Sequence, residues 1–139
     1  TSIDDSLKWI VLIENLLASN DAITWAVCIK NNTVLAGTIT LWKINKEHYR
    51  AELGYMLQQI YHGKGIMSEA IKAVINYGFN EMKLHSIEAC ASPDNGASLR
   101  VLEKMDFVRE AYFQENFYFN GVFSDTVVYS LLSPKKEAI

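Results

Sequence analysis

The chain is poor in the residues that staple or interrupt a fold. It has two cysteines and two prolines among 139 residues. Cys28 and Cys90 lie in apolar, strand-like runs without metal-ligand spacing. Both read as small core residues, and an intracellular, reducing setting fits them. No apolar run reaches the roughly 20 residues of a membrane span, and no signal-peptide pattern is present. No membrane partner is expected, and the cytoplasm is the expected location. An excess of basic charge is missing too. Thirteen Lys and Arg face sixteen Asp and Glu, for a net charge of −3. A nucleic-acid surface needs clustered cations to neutralise phosphate, so no nucleic-acid partner is expected. What is present suits a packed domain: half of the residues are apolar and 21% are charged, which argues against disorder. No repeat or linker divides the chain, and residues 1–139 read as one domain.

Hydrophobic spacing sets the expected order of elements. Leu7, Ile10, Val11, Glu14, Leu17 and Ala18 recur at helical spacing. Asp4, Asp5 and Ser6 offer an N-cap, and Asn20 a stop. "TWAVCIK" and "TVLAGTITLWKI" read as a hairpin turning at Asn31-Asn32, and "YRAELGYMLQ" as a third strand. A helix over 68–82 points Ala70, Ile71, Val74, Ile75, Gly78 and Phe79 inward. "HSIEACAS" is a strand and "ASLRVLEKM" a short amphipathic helix. Two final strands turn at Asn120-Gly121; their aromatics "YFQENFYFNGVF" are expected mostly in the core, the remainder lining an acceptor site or a homodimer edge. The tail "SPKKEAI" reads as loose. The fold class is α+β. The strand-helix-strand step from 50 to 91 demands a parallel crossover in an otherwise antiparallel sheet, and ligands favour the carboxyl ends of such strands.

"IYHGKGIMSEA", residues 60 to 70, sits at that crossover. Glycine before a helix start lets backbone N–H groups approach an anion, and the helix dipole adds to the attraction. Nucleotide motifs do not fit. A Walker loop ends in Gly-Lys-Ser/Thr, but Gly65 follows Lys64; a dinucleotide fingerprint needs a third glycine where Ser68 stands. Taken alone, the stretch is equally a tight turn without ligand.

The stretch resembles the acetyl-CoA signature of the GNAT superfamily of N-acetyltransferases: Gln/Arg, two free positions, Gly, one free position, Gly/Ala. Here these fall on His62, Gly65 and Met67, so His62 and Met67 depart from the pattern. "AELGYML" (51–57) is similar to the fourth strand of the ribosomal-protein N-terminal (RimJ/RimL-like) branch. "SPDNGASLRVLEKMDF" (92–107) is similar to its Asn-x-x-Ser helix, with Asp106-Phe107 where the branch has Gly-Phe. The resemblance implies a mixed, mostly antiparallel twisted sheet flanked by helices, lacking here the family's first strand and helix. It implies an acetyl-CoA-dependent transferase acting on a primary amine, either a protein N-terminus or a small molecule, without a metal. A non-catalytic acyl-CoA sensor and a partner-binding domain of the same fold are the alternatives.

The resemblance places the cofactor on Tyr55, Met56 and Leu57 through their backbone groups, on His62, Gly63, Lys64, Gly65, Ile66 and Met67, and on Asn95 and Ser98. His62 either donates to the pyrophosphate or fills the turn; Lys64 either meets a phosphate or is solvated. The amine must lose a proton to attack, since a lysine has a pKa of about 10.4 and an α-amine about 8. A general base therefore helps. Glu52 is the first candidate: an ionisable residue in an apolar strand, sharing a face with Gly54 and Met56. A solvated residue or an ion pair is its other reading. Ser98 is the candidate acid, or a residue capped by Asn95.

Overall fold

A computed structural model of the chain describes residues 3–31 and 34–134. Three helices, α1 (Ile3–Ala18), α2 (Ile66–Asn80) and α3 (Gly96–Lys104), accompany six strands. These are β1 (Ile23–Cys28), β2 (Leu35–Asn45), β3 (Arg50–Leu57), β4 (Ser86–Ala91), β5 (Val108–Phe119) and β6 (Val122–Leu132). The strands form one sheet in the order β1-β2-β3-β4-β6-β5. Only β3 and β4 run parallel; the other four pairings are antiparallel. The mixed α+β architecture is thus the expected one, with α2 as the crossover.

One face of the sheet holds the core. Ile39, Leu41, Leu53, Ile87 and Val127 pack against Ile71 and Val74 of α2 and Leu102 of α3. The period-two alternation of β3 sends Ala51 and Leu53 into this core and leaves Glu52, Gly54 and Met56 on the opposite face. Helix α2 buries Met67, Ile71, Val74, Ile75 and Gly78, the 3.6-residue stripe read from the sequence. Helix α3 ends at Lys104 with Met105 as its cap, and Asp106 just beyond has a φ of +67°, the left-handed conformation that favours glycine and that aspartate tolerates. The Asp106-Phe107 departure therefore keeps the backbone geometry of a Gly-Phe pair.

Several expectations are corrected. Helix α1 begins at Ile3, so Asp4, Asp5 and Ser6 lie in its first turn and not before it. None of its residues is fully buried; Ile13 and Leu16 are half-buried, while Leu7, Ile10, Val11 and Leu17 are exposed. The reason is its position: α1 packs on the edge strand β1 and not on the central sheet. Both cysteines are exposed. The aromatics of residues 112–123 are exposed as well, because β4 accompanies β6 only from Val127 to Leu132 and the rest of the hairpin projects alone. Its turn is as expected, with Asn120 and Gly121 at φ +51° and +81°. Asn32 and residues 135–139 fall outside the described residues; Asn31 has φ +64°. Among the described residues, no helix is long and apolar enough to cross a membrane.

Gly37 on β2 stands where β3 leaves no room for a side chain. A Cβ there would stand 2.1 Å from the Met56 carbonyl oxygen, whereas a Cβ on Gly54 would meet nothing nearer than Trp42 Nε1 at 3.7 Å. Gly37→Ala should therefore lower unfolding free energy in urea by about 1–3 kcal/mol, the usual cost of overpacking. Gly54→Ala should stay within about 0.5 kcal/mol of the parent. Equal effects would show that this contact does not constrain the sheet.

Candidate active site

Strands β3 and β4 pair from Arg50–Ser86 to Leu53–Ala89 and then part. Each keeps its other neighbour: β3 follows β2 to Gly37–Leu57, and β4 follows β6 to Ala91–Val127. The result is a V-shaped seam at the carboxyl end of β3. A bond from Gln58 N–H to the Ala36 carbonyl, 2.8 Å long, fixes the alternation of the strand. Even-numbered residues turn their backbone groups to β2, so Tyr55 and Leu57 turn theirs into the seam. The expectation for Met56 is corrected on this point. Its carbonyl faces Gly37 and its exposed side chain shares the Glu52 face of β3, so Met56 borders the cleft without turning its backbone groups into the seam.

The glycine turn closes one end of the seam. Gly63 and Gly65 have φ of +75° and +74°, which most side chains would strain. A Cβ on either would meet nothing within 4 Å, so the space beyond them is open. Gly65 caps α2 without a side-chain bond, and the first helical bond runs from Glu69 N–H to the Gly65 carbonyl. The amides of Ile66, Met67 and Ser68 precede it and form the electropositive end of the helix. His62 Nε2 lies 2.8 Å from the Leu57 carbonyl. A carbonyl only accepts, so this nitrogen donates and ties the turn to β3. His62 is thus a turn anchor, with only Nδ1 left for a ligand.

Helix α3 supplies the other wall. Asn95 Oδ1 accepts from Ser98 N–H at 3.1 Å, the expected N-cap. Ser98 Oγ sits 2.5 Å from the Tyr55 hydroxyl. Burial raises the Tyr55 pKa, against an opposing pull from the Ser98 bond, so the phenol stays protonated at neutral pH. Between these walls lies a cleft of about 590 Å³. It is lined by all eleven residues expected at the cofactor: Tyr55 to Leu57, His62 to Met67, Asn95 and Ser98. Tyr61, Arg100 and Lys104 line it as well and escaped the sequence reading. The four-residue spacing of Arg100 and Lys104 on α3 was the available signal. With Lys64 they give an acidic protein a basic cleft.

Glu52 is not in that lining. It sits on the opposite face, 12% exposed, with its carboxylate 3.0 Å from Lys43 Nζ; Lys43 also lies 4.3 Å from the centre of the Trp42 ring. Glu52 faces Glu88 across the parallel pairing, and Arg50 holds Glu88 at 2.6 Å. The Cys90 sulfur joins the two carboxylates, all three ligand atoms lying within 4.8 Å of one another. Partial burial, and then the charges of Glu52 and Glu88, push the Cys90 thiol up to about 12. Lys43 and Arg50 already supply countercharge to this group.

Residues 1–108 match the family described as Acetyltransferase (GNAT) domain. The chain is similar to a protein of Bacillus subtilis named probable N-acetyltransferase YjcK: 35% identical over 137 residues, covering 98% of this chain and 76% of that one. It is also similar to the crystal structure of ribosomal-protein-S5-alanine acetyltransferase from Vibrio fischeri, at 30% identity and TM-score 0.83, covering 90% of this chain and 69% of that one. A third likeness is to Microcin C7 self immunity acetyltransferase MccE, solved in complex with acetyl-CoA and AMP. There the identity is 25% and the TM-score 0.87, over 96% of this chain and 73% of that one. The chain belongs to the GNAT acetyltransferase family.

The Cys90 environment yields a direct measurement. With a thiol pKa of about 12, roughly one Cys90 in ten thousand is thiolate at pH 8, and only the thiolate alkylates. In a Cys28→Ser background, iodoacetamide labelling of Cys90 should rise about tenfold per pH unit from pH 7 to 10. Glu52→Gln removes a charge that disfavours the thiolate, so it should shift the whole curve to lower pH. A plateau near pH 9 in the parent would contradict the description.

Proposed function

From this family membership we propose that the chain transfers acetyl from acetyl-CoA to a primary amine, by direct attack within one ternary complex. The observation that carries the proposal is the seam between β3 and β4, which runs into the glycine turn and the start of α2. Residues 1–139 would act as one acetyltransferase domain.

The donor set fits coenzyme A. The amides at the start of α2 suit the pyrophosphate, and Lys64, Arg100 and Lys104 supply cations for its phosphates. The backbone groups of Tyr55 and Leu57 suit the amides of the pantetheine arm. Asn95 keeps its side-chain NH₂ for the same arm, since only its Oδ1 is used by Ser98. When bound, acetyl-CoA supplies an activated thioester. Direct attack is favoured over an acetyl-enzyme because Cys90, the cysteine beside the seam, is held protonated and an acyl-cysteine needs a thiolate.

Tyr55 and Ser98 then donate toward the leaving sulfur. A phenol raised above its usual pKa near 10 is a weaker acid than a thiol near 8.5. The pair is therefore suited to solvating the thiolate by hydrogen bond and not to transferring its own proton. Glu52 is the proposed base on the open face. Lys43 Nζ marks where a cation is balanced there, and an acceptor ammonium entering that face would meet the same carboxylate. Both a protein N-terminal amine and a small-molecule amine fit this description. The name of the Vibrio fischeri relative points to the first, and that of spermidine N(1)-acetyltransferase from Escherichia coli, 28% identical over 92 residues, to the second.

Release of free CoA thiol with a panel of amines and N-terminal peptides tests the reaction, and thermal unfolding tests the cleft. At one hundred times its Kd, acetyl-CoA should stabilise the protein by about 2.7 kcal/mol. Gly65→Asn, which tolerates positive φ but fills the open space, should lose most of that gain. Stabilisation without thiol release from any amine would favour an acyl-CoA sensor, and no stabilisation would favour a partner-binding domain.

The site residues separate by kinetics. Tyr55→Phe and Ser98→Ala should each slow turnover by about tenfold to a hundredfold, the worth of a hydrogen bond to a charged group, with acetyl-CoA affinity nearly kept. If Ser98 only caps α3, its alanine variant should cost about 1 kcal/mol of stability and leave kcat alone. Glu52→Gln should lower turnover and change its pH profile; an unaltered profile would move the base elsewhere.

A further inference from the structure

One lysine on the open face holds a position that regular strand geometry does not give it. In β2, Leu41 points into the core and Trp42 lies opposite Glu52, so plain alternation would return Lys43 to the core side. The register slips instead: Trp42–Glu52 is followed by Asn45–Arg50. Two residues of β2 therefore stand against Ala51 alone. Ile44 takes the core-facing place, and Lys43 is the extra residue, with φ +47°. A left-handed backbone is strained for lysine, and such strain gathers where a side chain is re-aimed for a task. Here it turns Lys43 onto the open face, with Nζ 3.0 Å from the Glu52 carboxylate and 4.3 Å from the centre of the Trp42 ring.

The closed end of the seam lies beside this lysine. Leu53–Ala89 is the last pair that joins β3 to β4. Glu52 and Cys90 flank it on the open face, their ligand atoms within 4.8 Å of each other and of Glu88. A coenzyme with its pyrophosphate at the start of α2 runs its pantetheine arm along Leu57 and then Tyr55. Its thioester then arrives where the seam closes. Lys64 and Lys104 also line the cleft, but on the helix face, where the phosphates would lie. Lys43 is the lysine that stands against the proposed base.

We propose that Lys43 is itself an acetyl acceptor: the chain acetylates its own Lys43 Nζ, in cis, from acetyl-CoA held in the seam. This rests on the acetyltransferase reading above. The Lys43 ammonium gives one proton to solvent by way of Glu52. Nζ then attacks the thioester carbonyl carbon, an N–C bond forms, and the C–S bond breaks with its electron pair on sulfur. The second nitrogen proton ends on that sulfur. The products are a neutral Nζ-acetyl-lysine, free CoA thiol and one released proton, and Glu52 has lost its cationic partner. The bond to Glu52 raises the Lys43 pKa, against the opposing pull of partial burial. Lys43 is therefore a poor nucleophile toward a reagent arriving from solvent. A thioester held beside it has the advantage of proximity instead, and this inversion is what an experiment can read.

Incubation of the intact chain with acetyl-CoA, followed by mass spectrometry of the protein and its peptides, tests this. The expected product carries one acetyl group, a gain of about 42 Da, on Lys43. Its rate constant should not depend on protein concentration. Acetyl-CoA should modify Lys43 about tenfold or more faster than the mean of the other lysines, whereas limiting acetic anhydride should modify it more slowly than that mean. Excess CoA, which fills the cleft without an acetyl group to give, should suppress the Lys43 product and spare the others. Lys43 no faster than the other lysines overturns the proposal, as does an equal preference for Lys43 with the anhydride or a rate proportional to protein concentration. Thiol release with outside amines while Lys43 stays unmodified also overturns it and leaves the acetyltransferase reading standing. A chain that acetyl-CoA neither stabilises nor modifies at Lys43 removes both.

Discussion

The parting of β3 from β4 is the constraint on which the remainder of the site depends. A parallel pair joined through α2 can separate at its carboxyl end only if each strand is held from its other side. Here β2 holds β3 out to Leu57, and β6 holds β4 out to Ala91. The hold of β2 depends on Gly37, which lets the Met56 carbonyl come close. An unpaired backbone group costs roughly 1–3 kcal/mol if buried dry. The separation is tolerable because the freed groups of Tyr55 and Leu57 face an open cleft. The Leu57 carbonyl is further satisfied by His62, so the turn that bounds the seam also stabilises its edge.

The sheet separates two electrostatic environments at this point. On the helix face, Lys64, Arg100 and Lys104 line the cleft. On the open face, Glu52 and Glu88 lie side by side, with Lys43 and Arg50 against them. A net charge of −3 averages over both and describes neither. The arrangement suits a reaction that joins an anionic cosubstrate to a cationic acceptor.

What the sequence made legible was local. The turn of residues 62–67 and the Asn95–Ser98 cap are each contiguous, and their backbone chemistry follows from residue type. The core stripe of α2 was equally plain, since its spacing repeats within one helix. What stayed hidden joins distant residues. Tyr55 meets Ser98 across 43 positions, and no periodicity announces it. Lys43 reaches Glu52 because the β2–β3 register sets Trp42 opposite Glu52, with a bulge just beyond Trp42. The aromatics of β5 were misread because alternation tells which residues share a face but not whether anything covers it. Cys90 was misread likewise: its run is strand-like, but it points to the open face at the place where the seam begins.

In the proposed reaction the two faces divide the proton traffic. The acceptor proton must leave toward a base, and Glu52 lies on the open face. The leaving sulfur must be stabilised, and Tyr55 with Ser98 lies on the helix face. A single group between them would serve both steps poorly, since a good base at neutral pH is a poor donor to a thiolate. Splitting the roles across the sheet lets Tyr55 stay a phenol, raised by burial, while Glu52, paired with Lys43, takes the acceptor's proton on the other face. The seam is where both faces reach one point, because after Leu53 and Ala89 the sheet no longer closes between them.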